Sequence, residues 1–129
     1  MAHCKWPRTP REPVYNELVQ WFPHPRWKQY AARSGWIYQY IFEGMPVEGE
    51  YHFRATSGPS NDVRITVSLD AAHIARWDAA HRPLTGVECF GIAKMALLRA
   101  LDEAASPGAT AKVRPSFADI SGICAELDL

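Results

Sequence analysis

The chain contains no apolar run long enough to cross a bilayer, and its opening, MAHCKWPRTPREP, carries charge without the apolar stretch of a signal peptide. A soluble cytoplasmic protein with no membrane partner is therefore expected. Cysteine is scarce. Cys4, Cys89 and Cys124 are odd in number, widely separated and free of any C-x-x-C pair, which excludes a disulfide framework and a zinc knuckle and fits reduced thiols in the cytosol. Neither sign of charge is in excess: 14 Lys and Arg stand against 14 Asp and Glu, leaving no overall field to attract nucleic acid or anionic lipid. Missing too are the glycine-rich phosphate loops G-x-x-x-x-G-K-[ST] and G-x-G-x-x-G, the G-x-S-x-G nucleophile elbow and the H-E-x-x-H zinc helix. These absences remove the commonest routes to a nucleotide-using enzyme, a hydrolase or a zinc protease. No catalytic residue, cofactor or metal is assigned, although an enzyme built from residues distant in sequence is compatible with the same absences.

What the sequence does have is 129 residues, enough for one domain with a core of its own. The clearest segment is VECFGIAKMALLRALDEAA, Val87 to Ala105. Thr85 stands three residues before Glu88, the spacing of a capping box, so a helix should begin near Gly86 and stop at Ser106-Pro107-Gly108. Phe90, Ala93, Leu97, Leu101 and Ala104 fall on its apolar side, with Val87 and Leu98 at the margin and Glu88, Arg99 and Glu103 opposite. Lys94 lies within the apolar arc, where its stem should snorkel along the edge rather than bury the ammonium.

Residues 1–8 read as disordered or draped over the surface. Thr9-Pro10-Arg11-Glu12 combines an N-cap, a proline at the first helical position and a glutamate three residues after the cap. A helix should start there, with Val14, Tyr15, Leu18 and Phe22 on one side and Trp21 adjoining, and end at Pro23-His24-Pro25. Pro25 then opens a second short helix, Arg26 to Ser34, closed by Gly35. The pair fits an αα-hairpin better than a DNA-reading helix-turn-helix, because the turn is proline-rich and the second helix short. From Gly35 the periodicity changes to two. Trp36, Tyr38, Tyr40 and Phe42 alternate with Ile37, Gln39 and Ile41 in one strand. Residues 43–49 read as a connection. Tyr51, Phe53 and Ala55 form a second strand, and Val63, Ile65, Val67 and Leu69 a third, beyond a turn at 57–62.

Asp70 should cap a helix from Ala71 to about Ala80 that carries Ile74, Trp77 and His81 on one side. The tail is ambiguous: Phe117, Ile120, Ile123 and Leu127 fit a helix capped by Ser116, whereas Ile123, Ala125, Leu127 and Leu129 fit a strand, and Gly122 and Pro115 tip the balance toward the strand. The fold class is α+β, an antiparallel three- to four-stranded meander packed with two helices after it and two short helices before it.

Candidate functional residues come from three places. His73, His81 and Cys89 are the nearest approach to a metal constellation, but residues eight apart on a straight helix lie about 12 Å apart, too far for one ion. Cys89, in a first helical turn beside Glu88, reads as a small core thiol. His52 and Arg54 project from one side of the second strand with Arg64 nearby, a face that could bind an anion or a partner, or could be the solvated back of the sheet.

The first 40 residues hold six Lys and Arg against two Glu, a net +4 that residues 41–129 offset, and nine aromatic side chains are interleaved with the cations. Arg26, Trp27, Lys28 and Arg33, on the expected short helix, would form a charged face beside an aromatic one. Such a face can serve a protein hot spot, single-stranded nucleic acid, or simply the packing of aromatics under arginine and lysine stems. The function expected is that of a small non-catalytic binding or regulatory protein, acting through a protein partner or as a homo-oligomer, with nucleic acid as the alternative partner and a small enzyme as the third.

Overall fold

Tyr38, Tyr40, Tyr51, Phe53, Ala55, Ile65 and Val67 alternate along three neighbouring strands and are all buried, so one side of a sheet is apolar and carries the core. The computed structural model describes residues 27–58, 62–104 and 112–129. Its strands are β1 (Lys28–Ala31), β2 (Ile37–Val47), β3 (Glu50–Thr56), β4 (Asp62–Ser68) and β5 (Lys112–Val113), lying side by side in that order. The first four form an antiparallel meander, and β5 pairs in parallel with β4. Helices α1 (Ala71–Ala80), α2 (Gly86–Glu103) and α3 (Phe117–Glu126) complete an α+β architecture.

The start of α2 follows from its sequence. The Thr85 side chain accepts from the Glu88 N–H at 3.2 Å while Glu88 accepts from the Thr85 N–H at 2.9 Å, closing the capping box. Ile92, Ala93, Ala96, Leu97 and Leu101 are buried along the helix. Phe90 lies over β2 and β3 rather than β4, with its ring centroid 4.9 Å from that of Phe42. At the other end Asp102 accepts from the Tyr30 hydroxyl at 2.9 Å and from the Arg33 backbone N–H at 2.7 Å.

Four expectations change. The helix read from Arg26 to Ser34 is not formed where it is described: Lys28–Ala31 is a strand, and Gly35, at φ 101°, closes the β1–β2 hairpin instead of capping a helix. Pairing with β2 and the reach of Tyr30 to Asp102 are long-range interactions that outweigh the local helix signals. Residues 43–49 are not a loop. β2 runs on to Val47 through two bulges, and Pro46 is accommodated because β1 covers only Ile37–Tyr40, which leaves Pro46 on a stretch with no described neighbour on that side.

The tail is a helix, because Ser116 and Asp119 form a second capping box and Ile120, Ile123 and Cys124 share a buried side at helical spacing. Finally, β5 adds a parallel edge strand of two residues, too short to show as a period. The expected helix beginning at Thr9 lies outside the described residues, as do residues 1–8.

Gly49 is required by its surroundings. It turns β2 into β3 at φ 85°, its carbonyl accepts from the Leu69 N–H at 2.8 Å, and a Cβ there would stand 3.0 Å from the Leu69 carbonyl oxygen. Gly122 is different. It sits inside α3 with no positive φ, and the nearest atoms to an added Cβ are the Arg99 guanidinium nitrogens at 4.0 Å. Gly122→Ala is therefore expected to raise stability by about 0.5–1 kcal/mol, the helix-interior difference between the two residues, measured as a higher urea midpoint.

The first turn of α2 also titrates. Arg82 donates to both carboxylate oxygens of Glu88, at 2.9 and 2.8 Å, and this contact, followed by the Thr85 N–H, lowers the Glu88 pKa to about 2. A carboxylate held below its ordinary value of about 4.5 adds stability that is present above that value and lost as the pH falls toward 2. Between pH 5 and pH 2 the parent should lose more stability than Glu88→Gln, which cannot titrate. Denaturant midpoints of the two proteins across that window check it.

Candidate binding surface

All three described helices attach to the apolar side of the sheet, and the opposite side divides into two halves. On β1 and β2 it is largely uncharged. Ala31 pairs with Ile37 and Gln29 with Gln39, and continuing the register by one residue sets Trp27 opposite Ile41. Trp27, Ile37 and Val47 are 44%, 57% and 60% exposed, high for large apolar side chains; Ile37 and Val47 stand at opposite ends of β2 and Trp27 just before β1. Trp36, at the hairpin end of β2, is also exposed.

The β3–β4 half is charged and internally paired. Arg54 and Arg64 lie directly opposite each other across β3 and β4, an arrangement of like charges that would be unfavourable alone. Glu43, which the β2 bulge turns toward them, answers both: one carboxylate oxygen is 3.3 Å from Arg54 Nε and the other 3.1 Å from Arg64 Nε. Asp62 adds a longer contact to Arg54 at 3.9 Å, and His52 Nε2 lies 3.2 Å from Glu50. These cations have their counter-ions already. An anion arriving from solution would have to compete with Glu43.

The residues singled out in the sequence thus scatter. Arg26 lies outside the described residues. Lys28 and Trp27 are neighbours on an extended chain and so take opposite sides of the sheet, Lys28 opposite Tyr40 on the inner side. Arg33 is in the hairpin turn, where its backbone holds Asp102 and its side chain edges an open depression of about 330 Å³ with Arg99, Asp102, Glu103 and Glu126. Two arginines and three carboxylates give that depression no dominant sign, and Arg99 is already paired with Glu126 at 3.0 Å. His52 and Arg54 do share the outer face. Glu43 and Ile37 are the surface residues that sequence reasoning passed over. Glu43 was hidden in the supposed connection, and the alternation placed Ile37 opposite the aromatics without marking it as exposed.

His73 and His81 serve separate neighbours. His73 stands 4.0 Å from Asp70 and near the Phe117 ring, whereas the His81 ring stacks on Trp77 with centroids 4.1 Å apart and its Nδ1 is 3.0 Å from the Trp77 carbonyl oxygen. Among the described residues no three His, Cys, Asp or Glu side chains converge as metal ligands. Cys89 is half-buried and Cys124 buried, and burial is the first cause pushing both thiols above their ordinary pKa. They are held as thiols rather than thiolates.

Removing Glu43 should expose the arginine pair. Glu43→Ala is expected to cost about 1 kcal/mol and Arg64→Ala a few tenths, as partly exposed charges do. The double variant should be more stable than Glu43→Ala alone, because the repulsion has gone. Urea unfolding of the three variants measures this, and strictly additive losses would mean that Glu43 is not the bridge.

Comparison of the chain with protein-family models, with curated proteins and with solved structures finds no match, so the surface itself carries the functional argument.

Proposed function

We propose that the protein is a small cytosolic, non-catalytic binding protein that acts through another protein or a second copy of itself, using the outer side of β1 and β2. The single observation behind this reading is that large apolar side chains are left in water there, Trp27 and Ile37 at the two ends of the β1–β2 pairing and Val47 at the far end of β2, on a sheet whose other half is occupied with its own ion pairs. Aromatic and aliphatic anchors on a rigid sheet, bordered by polar groups, suit a hot spot whose energy comes from apolar burial. The cations nearest to it speak against the nucleic-acid alternative: Arg54 and Arg64 are engaged by Glu43, and Lys28 and Arg33 neither share a face nor form a groove with them.

Salt separates the two kinds of partner. Neutralising several phosphates makes nucleic-acid affinity fall by about 10³-fold or more between 50 and 200 mM salt, whereas apolar burial is little affected. The experiment is sedimentation of the purified chain, alone and with single-stranded DNA or RNA, at both salt concentrations, beside Ile37→Glu. Salt-resistant self-association, or a salt-resistant complex with an isolated protein partner, that Ile37→Glu abolishes is the expected result. Salt-sensitive binding of nucleic acid that survives Ile37→Glu would replace this reading with the alternative.

A further inference from the structure

The outer side of β1 and β2 is arranged about its own middle. The register sets Gln29 beside Gln39, and the next outward positions on either side of that pair are apolar: Ala31 with Ile37 toward the hairpin, Trp27 with Ile41 away from it. Trp27, Gln29, Ala31, Ile37 and Gln39 are exposed, and Ile41 is half-buried. Along the strands the surface therefore runs apolar, amide, apolar, over four residues or roughly 13 Å. Among the described residues no charged side chain interrupts it. Lys28 is on the inner side and Arg33 in the turn, and the outward charges begin at Glu43 and Arg54, which are paired with each other at 3.3 Å.

That order selects the kind of partner. A neutral patch gives a surface of either charge nothing to hold, so electrostatic complementarity does not favour a charged partner. A second copy is different, because a homodimer closes about a two-fold axis and needs a surface complementary to itself. Each glutamine amide carries N–H donors and an acceptor carbonyl, so it can pair with its own counterpart, which a lysine or a glutamate cannot. Consider an axis that crosses the strands at the Gln29–Gln39 pair. The second sheet then lies face to face with its strands reversed, Gln29 on Gln29 and Gln39 on Gln39, while Trp27 falls over Ala31 and Ile37 over Ile41 of the other copy. The largest side chain is set over the smallest, as close packing of two faces requires. An axis along the strands would instead stack Trp27 on Ile41 and Ala31 on Ile37, crowding one end and opening the other.

We propose that two copies of the chain stack through the outer sides of β1 and β2 about the axis crossing the strands, with Gln29 and Gln39 each on its own counterpart at the centre and Trp27 and Ile37 closing over Ala31 and Ile41. The inference rests on the partner surface proposed above and commits it to one occupant. Six outward positions are fewer than the roughly 20 to 30 residues that each side of a stable interface contributes. The association is therefore reversible and rises with concentration.

Exchanging charge at the axis tests it. The full chain is sedimented over a concentration series beside Ile37→Glu, Gln39→Glu and Gln39→Lys, with circular dichroism to confirm that these exposed substitutions leave the fold intact. The expected result is a mass that rises from one chain toward two with concentration, and a monomer for each variant alone at the same concentrations. Mixing Gln39→Glu with Gln39→Lys should recover the dimer, because only then do opposite charges meet across the axis. A parent that stays monomeric, a dimer that Ile37→Glu leaves intact, or a mixture no more associated than its components overturns the proposal. If the parent is monomeric but Ile37→Glu abolishes its complex with an isolated partner protein, the second copy is overturned as occupant and the partner surface stands. A monomeric parent whose partner complex Ile37→Glu does not touch would overturn both.

Discussion

Helix α2 crosses the sheet between two anchors, and the remaining elements take their places from it. At one end the Phe90 ring meets Phe42, Tyr51 and Phe53 from β2 and β3. At the other, Asp102 receives the Tyr30 hydroxyl and the Arg33 amide from the first hairpin. The first anchor is apolar area, which holds without fixing an angle. The second is directional, with charge-assisted hydrogen bonds that only one placement of the hairpin satisfies. Together they set both the position and the orientation of the helix, and α3 then packs against it, with Arg99 passing over Gly122 to reach Glu126.

Legibility in the sequence tracked the range of the interactions. The α2 cap, the β3 and β4 alternation and the Asp70 cap of α1 are written within a few residues of where they act, and each was readable. Strand β1 was not. Pro25 before it and Gly35 after it look like the bounds of a short helix, and the interaction that decides otherwise joins Tyr30 to a carboxylate 72 positions away. The tail was misjudged for a different reason. Gly122 counts against a helix locally, but the Ser116–Asp119 capping box and the burial of Ile120, Ile123 and Cys124 against the core outweigh it, and that burial is a fact about packing that propensity cannot carry.

The candidate surface shows the same division. His52 and Arg54 were found because a strand's alternation reveals which residues share a side. What that side does depended on Glu43, which sits at a bulge where the alternation is broken. With Glu43 in place, the cations are a sheet's internal electrostatics. The unsatisfied part of the surface is then the apolar half on β1 and β2, which composition had described only as an excess of aromatics.

The parallel pairing of β5 with β4 bears on the order of folding. The four meander strands are joined by short links and can pair by local search, whereas Lys112 can reach Thr66 only after the chain from 69 to 111 has been laid down around α1 and α2. Closing so long a loop for a ladder of two residues costs entropy early and returns little until the core beneath it exists. The meander and α2 should therefore be the nucleus, and β5 with α3 the last part to join. The same carboxy-terminal unit would be the first to open in the native protein, with the fastest amide exchange of the paired elements.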